Sequence, residues 1–171
     1  RTMTSIIKVD QIQTAAGAAP TLSNLGINAA GSVLQVRHHT VDPGTSSTSS
    51  LTLVATGLTI DITPRDVNSS FLIMMSMNEC YMPASASSHA MGFAIARNGS
   101  RLSDTDQATI NYSNSASTGA TYFNYNLHSY DSPNTTSTIT YSGMLKSRYG
   151  STVYWNGDNT PSFLTVIEIA G

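Results

Sequence analysis

Four histidines and a large number of serines are among the side chains in this sequence that could bind a metal or act as a nucleophile. His38 and His39 are adjacent, and adjacent residues of a β-strand point to opposite faces, so both cannot hold one ion from a regular strand. A threefold axis could still gather one of them from each of three chains. The serines lie in low-complexity clusters such as 46–50, which we expect to be solvated loops, and no Gly-x-Ser-x-Gly motif occurs. We therefore predict no metal site and no serine nucleophile.

Carboxylates offer a second route to chemistry, as the acid and base of glycoside cleavage. Asp10, Glu79 and Glu168 are the candidates, but such a pair must stand roughly 5 to 9.5 Å apart, and nothing in the sequence brings two of them together. Asp104 and Asp106 have the spacing that begins some calcium loops, although the central glycine and the later glutamate are missing. We predict a turn there, and a chain that is not an enzyme and uses no cofactor.

Carbohydrate binding is a further candidate activity. Aromatic faces contact the C–H groups of a sugar, and Asn, Asp or hydroxyl groups bond to its rim. Alternate residues of one predicted strand have this mixture: Tyr122, Asn124, Asn126, His128 and Tyr130. Trp155, with Asn156 and Asp158, is a second such cluster near a turn. Aromatics on strands also form cross-strand pairs and subunit interfaces, so a receptor or glycan contact and an interface both stay open.

The elements that must position these side chains are β-strands, because apolar residues recur with period two. The predicted strands are Ser32 to Val41, Leu51 to Thr63, Phe71 to Tyr81, Ala90 to Arg97, Thr121 to Tyr130, Ser137 to Lys146, Val153 to Trp155 and Phe163 to Ile169. Asn98-Gly99 predicts a tight hairpin that returns through Arg101-Leu102. Eight or nine strands without a helical segment indicate an all-β fold, an antiparallel β-sandwich of jelly-roll type, with a closed barrel as the alternative.

The first 30 residues differ from the rest. A short strand-like run, Thr4 to Ile12, precedes a stretch of small residues and Pro20, and neither can bury a core of its own. We predict that residues 1–30 form an extended leader that packs on a neighbouring subunit or an upstream shaft, or else a flexible linker, and that residues 31–171 form the sandwich. Cys80, the only cysteine, lies in an apolar run and is expected to be a small buried side chain.

Charged residues make up only 11% of the chain, with eight Lys and Arg and a formal net charge of -2. Scattered single cations cannot neutralise a row of phosphates, so we predict no nucleic acid partner. No apolar run approaches the roughly 20 residues that a membrane-spanning helix needs, which predicts no membrane insertion. A surface of hydroxyl and amide groups repels itself weakly, and this favours assembly with copies of the same chain.

Three stretches carry a resemblance to a known class of proteins. The first is IKVDQIQTAAG, Ile7 to Gly17, followed by Pro20-Thr21 and Leu25 to Asn28. The second is TGLTIDITP, Thr56 to Pro64, with the strand Phe71 to Met77, and the third is FLTVIEIAG, Phe163 to Gly171. They resemble fibre-type structural proteins of bacteriophages, particularly phages of marine bacteria and cyanobacteria. The middle, from about Met82 to Asn134, follows the pattern only loosely.

The resemblance implies a virion component, a tail or head fibre domain that is typically trimeric and is assembled in the cytoplasm of a bacterial host. Its partners would be copies of itself, other virion proteins through residues 1–30, and a host surface polysaccharide or outer-membrane protein. Loops at Met82 to Ser88, Ser113 to Ala120 and Tyr130 to Thr136 are where we expect host contact. An alternative is a glycan- or receptor-binding adhesin or lectin-like domain, and its cellular form predicts a secretion signal.

Overall fold

The computed structural model describes residues 17, 30–42, 44–84, 89–102, 119–157 and 160–171, and the backbone alone of residues 108–113. Within these residues the chain forms eleven β-strands. They are β1 (Val33–Val41), β2 (Ser46–Thr48), β3 (Val54–Ile62), β4 (Ser70–Met82), β5 (His89–Arg97), β6 (Ser100–Arg101), β7 (Ala108–Ser113), β8 (Thr121–Asp131), β9 (Ile139–Ser147), β10 (Val153–Trp155) and β11 (Ser162–Ile169). The predicted leader, apart from Gly17 and Ala30, lies outside the described residues.

The strands form two antiparallel sheets. The first has the order β1-β11-β4-β8, with β10 and β2 continuing it beside the far end of β4, and the second has the order β3-β9-β5-β7, with the short β6 beside β5. Counting only the eight principal strands along the chain, the orders are 1-8-3-6 and 2-7-4-5. Successive strands thus alternate between the sheets, except that the fourth and fifth pair with each other in the second sheet, and this is the arrangement of a jelly roll. The predicted antiparallel β-sandwich of jelly-roll type is confirmed.

The core lies between the sheets and follows from the alternation of apolar residues. Phe71, Ile73, Met75 and Met77 of β4 point inward and are almost fully buried. The sheets approach closely at Gly143 of β9, where an added Cβ would lie 2.6 Å from the Met75 sulfur. A side chain at this position would displace the end of Met75, so glycine allows Met75 to pack directly on β9.

The predicted hairpin at Asn98-Gly99 is confirmed, whereas the prediction of a loop at residues 46–50 was wrong. Asn98 and Gly99 both have positive φ, 49° and 78°, and join β5 to β6 in the predicted hairpin. The serine cluster that we expected to be a solvated loop contains β2 instead. Ser46–Thr48 pairs with β10 through Val153 and Thr48, so these hydroxyl residues form an edge strand.

A polar cluster joins the two sheets. Arg97 of β5 lies 2.8 Å from both carboxylate oxygens of Asp131 at the end of β8. The buried Tyr141 of β9 donates its hydroxyl to the same carboxylate at 2.7 Å. Burial, reinforced by Asp131, raises the pKa of the Tyr141 hydroxyl, so the group stays a donor. Its ring also contacts Phe71 across the core, with 5.7 Å between centroids.

We expect Asp131→Ala to destabilise the fold by about 2 to 4 kcal/mol, because it leaves a buried tyrosine hydroxyl and a guanidinium without their acceptor. Tyr141→Phe removes the donor but leaves the ion pair, and should cost about 1 kcal/mol. Urea unfolding followed by circular dichroism measures both values. A loss for Asp131→Ala no larger than that for Tyr141→Phe would contradict the view that this carboxylate holds the sheets together.

Candidate functional site

The solvent-facing side of the first sheet presents three cross-strand rows of side chains. Each row takes one residue from each of β1, β11, β4 and β8 in register. The rows are Thr40, Phe163, Ser76 and Asn126; His38, Thr165, Met74 and His128; and Val36, Ile167, Leu72 and Tyr130. We call these twelve residues the outer face. It contains no Asp, Glu, Lys or Arg.

Large apolar and aromatic side chains are exposed on this outer face. Val36 is 56% exposed, Met74 36%, Tyr130 59% and Phe163 37%. A shallow cavity of about 390 Å³ lies in the middle of the face, where its lining includes Met74 and Phe163. Single exposed apolar residues are normal on a protein surface, but a contiguous group with no charge within it is typical of a contact surface.

The two adjacent histidines lie on opposite faces of β1, as predicted. His38 is on the outer face, where its ring nitrogens lie 2.9 Å from the Thr165 hydroxyl and 3.0 Å from the Thr40 hydroxyl. His39 points the other way, and its Nδ1 accepts the backbone N–H of Thr59 at 3.2 Å. The described part of the chain contains no group of three or more His, Cys, Asp or Glu side chains that could hold a metal ion.

The five candidate contact residues of β8 all lie on the solvent side of the sheet. They are Tyr122, Asn124, Asn126, His128 and Tyr130, and each is exposed. The residues between them point inward, and Tyr125 stacks on Phe93 of the opposite sheet with 4.4 Å between ring centroids. The predicted alternation is therefore confirmed, while contact with a ligand stays a prediction.

Trp155 is a core residue, which corrects the expectation that it presents its ring to a ligand. β10 places Val153 and Trp155 inward, and Trp155 is only 5% exposed. Asn156 is buried too, and its side chain accepts the N–H of Ser162 and donates to the carbonyl of Asp42. Asp158 lies outside the described residues.

Tyr154, between the two inward residues of β10, belongs instead to a row of stacked rings. Its ring lies 4.4 Å from that of Tyr81 on β4, with 4° between their planes. On the other side of Tyr81, the ring of Tyr122 lies at 5.2 Å with 27° between planes. We call these three residues the tyrosine ladder. Tyr122 ends the ladder and is 59% exposed.

A β-bulge in β4 stands beside the tyrosine ladder. Met77 pairs with Tyr125 and Cys80 pairs with Phe123, so two residues, Asn78 and Glu79, stand opposite Asn124 alone. Glu79 has a φ of 47°, in the left-handed region that a side chain rarely adopts.

Groups outside the regular ladder satisfy the backbone of this bulge. The N–H of Asn78 donates to the Ser162 hydroxyl, and its carbonyl accepts the N–H of Asn156. The N–H of Glu79 donates to the Asn124 side chain at 3.0 Å, and its carbonyl accepts the N–H of Gly157 at 3.5 Å. Asn124, a candidate contact residue, thus supports the bulge.

The bulge borders a small pocket of about 90 Å³, which we call the Glu79 pocket. Its lining residues are Thr45, Glu79, Tyr81, Tyr122 and Gly157. Glu79 is half-buried, and no described residue donates a hydrogen bond to its carboxylate or forms an ion pair with it. The sequence signal for this site was the slip in apolar spacing, from every second residue up to Met77 to the three-residue step that ends at Cys80.

The candidate carboxylates are far apart. Glu168 pairs with Phe71 across β11 and β4, and Glu79 lies eight residues further along β4, which is roughly 26 Å. Glu168 is fully buried and accepts hydrogen bonds from the Gln35 side chain and the Arg65 backbone. These two groups therefore cannot work as an acid and base pair, and Asp10 lies outside the described residues.

Cys80 is fully buried next to the bulge, as the sequence indicated. Burial, with a smaller contribution from the Glu79 carboxylate, raises the pKa of the Cys80 thiol to about 12. A thiol with that pKa carries almost no thiolate at neutral pH, and the thiolate is the reactive form.

We expect native Cys80 to resist Ellman's reagent at pH 8, and to react with one equivalent once the protein is unfolded in guanidinium chloride. Burial and the high pKa both act in this direction. The absorbance of the released thiolate anion measures the reaction. Rapid reaction of the native protein would show that the thiol is accessible and would contradict its place in the core.

Comparisons with known proteins add little to this geometry. No family model matches the sequence, and no curated protein does. A chain in the structure of infectious bursal disease virus strain Gx is similar over 81% of this chain, with 13% identity and a TM-score of 0.36. The present chain spans about a third of the length of that viral chain, 33%. At this identity and TM-score the likeness says nothing about what the chain does.

Proposed function

We propose that this chain is a non-enzymatic structural module of a virion, of the bacteriophage fibre or decoration kind that its sequence resembles, and that it assembles as a homotrimer through the outer face. The observation that carries the proposal is the absence of charge from the twelve residues of that face. Burying a charge without a partner is costly, whereas hydroxyl, amide and apolar groups can be covered by a copy of the chain.

The opposite side of the sandwich supports this choice of surface. There the outward residues of β3 and β9 include the acidic Asp61 and the basic Lys146. Asp61 accepts a hydrogen bond from Thr140 beside it. The two solvent-facing sides of the sandwich thus differ in charge, and the first sheet is the better candidate for assembly.

The size of the outer face fits the centre of an interface. Three rows across four strands cover roughly 400 Å², given the usual strand and residue spacings. A stable interface buries about 800 Å² per partner, with an apolar centre and a polar rim. The loops and edge strands around the outer face would supply that rim.

Two further parts of the proposed role concern other partners. Residues 1–30 would attach the domain to other virion proteins, since Ala30 leads directly into β1 at one end of the first sheet. Contact with a host surface polysaccharide or outer-membrane protein would fall to the free end of the assembly. Its location in a virion, assembled in a bacterial cytoplasm, is part of the same proposal.

Light scattering coupled to size exclusion tests the proposal directly. We expect the 171-residue chain to have a mass of about 54 kDa, three times 18.1 kDa. Met74→Lys, which puts an ammonium group at the centre of the outer face, should reduce the mass to 18.1 kDa. Circular dichroism should show an unchanged fold, because Met74 points to solvent.

Thr59→Lys is the matched control. It adds the same charge to an exposed strand position on the opposite sheet, and should leave the mass unchanged. A monomeric parent chain at all concentrations, or a Met74→Lys variant that keeps the parent mass, would overturn assembly through the outer face.

A further inference from the structure

We propose that the Glu79 pocket and the exposed ring of Tyr122 bind an amino sugar, with its ammonium group against the Glu79 carboxylate and its ring against the tyrosine. The site lies past the end of the three rows, because Tyr81 is five residues from Ser76 along β4. The inference rests on the bulge and the tyrosine ladder, and it does not depend on the oligomeric state.

The bulge is held in place by hydrogen bonds from the surrounding fold. Glu79 holds a positive φ that costs energy for a residue with a side chain, and such conformations persist only where surrounding groups impose them. Here Asn124, Ser162, Asn156 and Gly157 together bond to all four backbone polar groups of the two bulged residues. Bulges of this kind re-aim a side chain, and this one turns Glu79 toward the tyrosines.

The negative charge of the Glu79 carboxylate favours a cationic ligand in this pocket. A half-buried carboxylate is poorly solvated, and among the described residues Glu79 has no cation or hydrogen-bond donor beside its carboxylate. Asp131, by comparison, is paired with Arg97. An ammonium group entering the Glu79 pocket would form a charge-assisted hydrogen bond with the carboxylate.

The aromatic rings and the size of the pocket further restrict the class of ligand that can bind. The pocket is small, about 90 Å³, and can take the ammonium group while the sugar ring lies over Tyr122. The ring of Tyr122 is 59% exposed at the mouth of this pocket, and aromatic faces attract both cations and the C–H groups of sugars. A sugar carrying a free amine fits both parts, whereas a lysine side chain has no ring to place on the tyrosine.

Four probes test the ligand class: three sugars that differ only in the group at C2, and one amine that has no sugar ring. They are D-glucosamine, D-glucose, N-acetyl-D-glucosamine and N-α-acetyl-lysine amide. We expect D-glucosamine to shift the NMR signals of Tyr122 and Glu79 with a saturable dependence on concentration. D-glucose and N-acetyl-D-glucosamine, which lack the ammonium group, should bind at least about tenfold more weakly, since they lose the charge-assisted bond. The lysine derivative should also bind more weakly, because it lacks the sugar ring.

Variants of the protein test whether Glu79 and Tyr122 bind the sugar. Glu79→Gln keeps the shape of the side chain and removes its charge, and should weaken D-glucosamine binding at least about tenfold. Tyr122→Ala should weaken it severalfold. Asp61→Asn removes a carboxylate from the opposite sheet and should have no effect.

Each contrary result overturns the inference. Equal binding of D-glucose and D-glucosamine would show that the ammonium group is not recognised, and equal or tighter binding of the lysine derivative would show that the sugar ring is not. If D-glucosamine shows no saturable binding, or binds Glu79→Gln as tightly as the parent chain, then the Glu79 pocket does not bind an amino sugar. Light scattering on the same samples keeps this test separate from the proposed assembly, because Glu79→Gln should not change the mass.

Discussion

The packing of the central strand β4 holds the sandwich together. It hydrogen-bonds to β11 and β10 along one edge and to β8 along the other, and its inward side chains form the middle of the core. Met75 fills the space that Gly143 leaves in the opposite sheet. With only 11% charged residues, the chain has few ion pairs to hold its fold, so apolar packing around this strand must supply most of its stability.

The same strand also determines which side chains lie on the solvent side of the first sheet. Before the bulge, alternation gives Leu72, Met74 and Ser76 to the outer face. The extra residue at the bulge then changes which side chains face solvent, and it brings Glu79 and Tyr81 to the same side of the sheet. A single irregularity therefore separates an uncharged surface from a pocket with a negative charge.

Much of this architecture could be predicted, because it depends on period-two alternation and on turn residues. The exposed side of β8, the opposite directions of His38 and His39, and the Asn98-Gly99 hairpin all follow from local geometry. The prediction for Trp155 was wrong because an aromatic residue near a turn need not be exposed. Alternation along β10 puts Val153 and Trp155 on one side and Tyr154 on the other, and the first side faces the core. β2 was missed because Ser and Thr carry no apolar period, and only its pairing with β10 makes it a strand.

The Glu79 pocket could be predicted only in part. The three-residue step between Met77 and Cys80 in an otherwise regular alternation indicates a bulge. The partners that hold it, Asn124 and Ser162, lie more than 40 residues away along the chain, and no local pattern connects them to Glu79. Tyr81 and Tyr154 likewise meet only because β10 pairs beside the far end of β4. The exposed side of a single strand can thus be predicted from the sequence. A site formed by three strands at an irregularity can be recognised only once the fold is known.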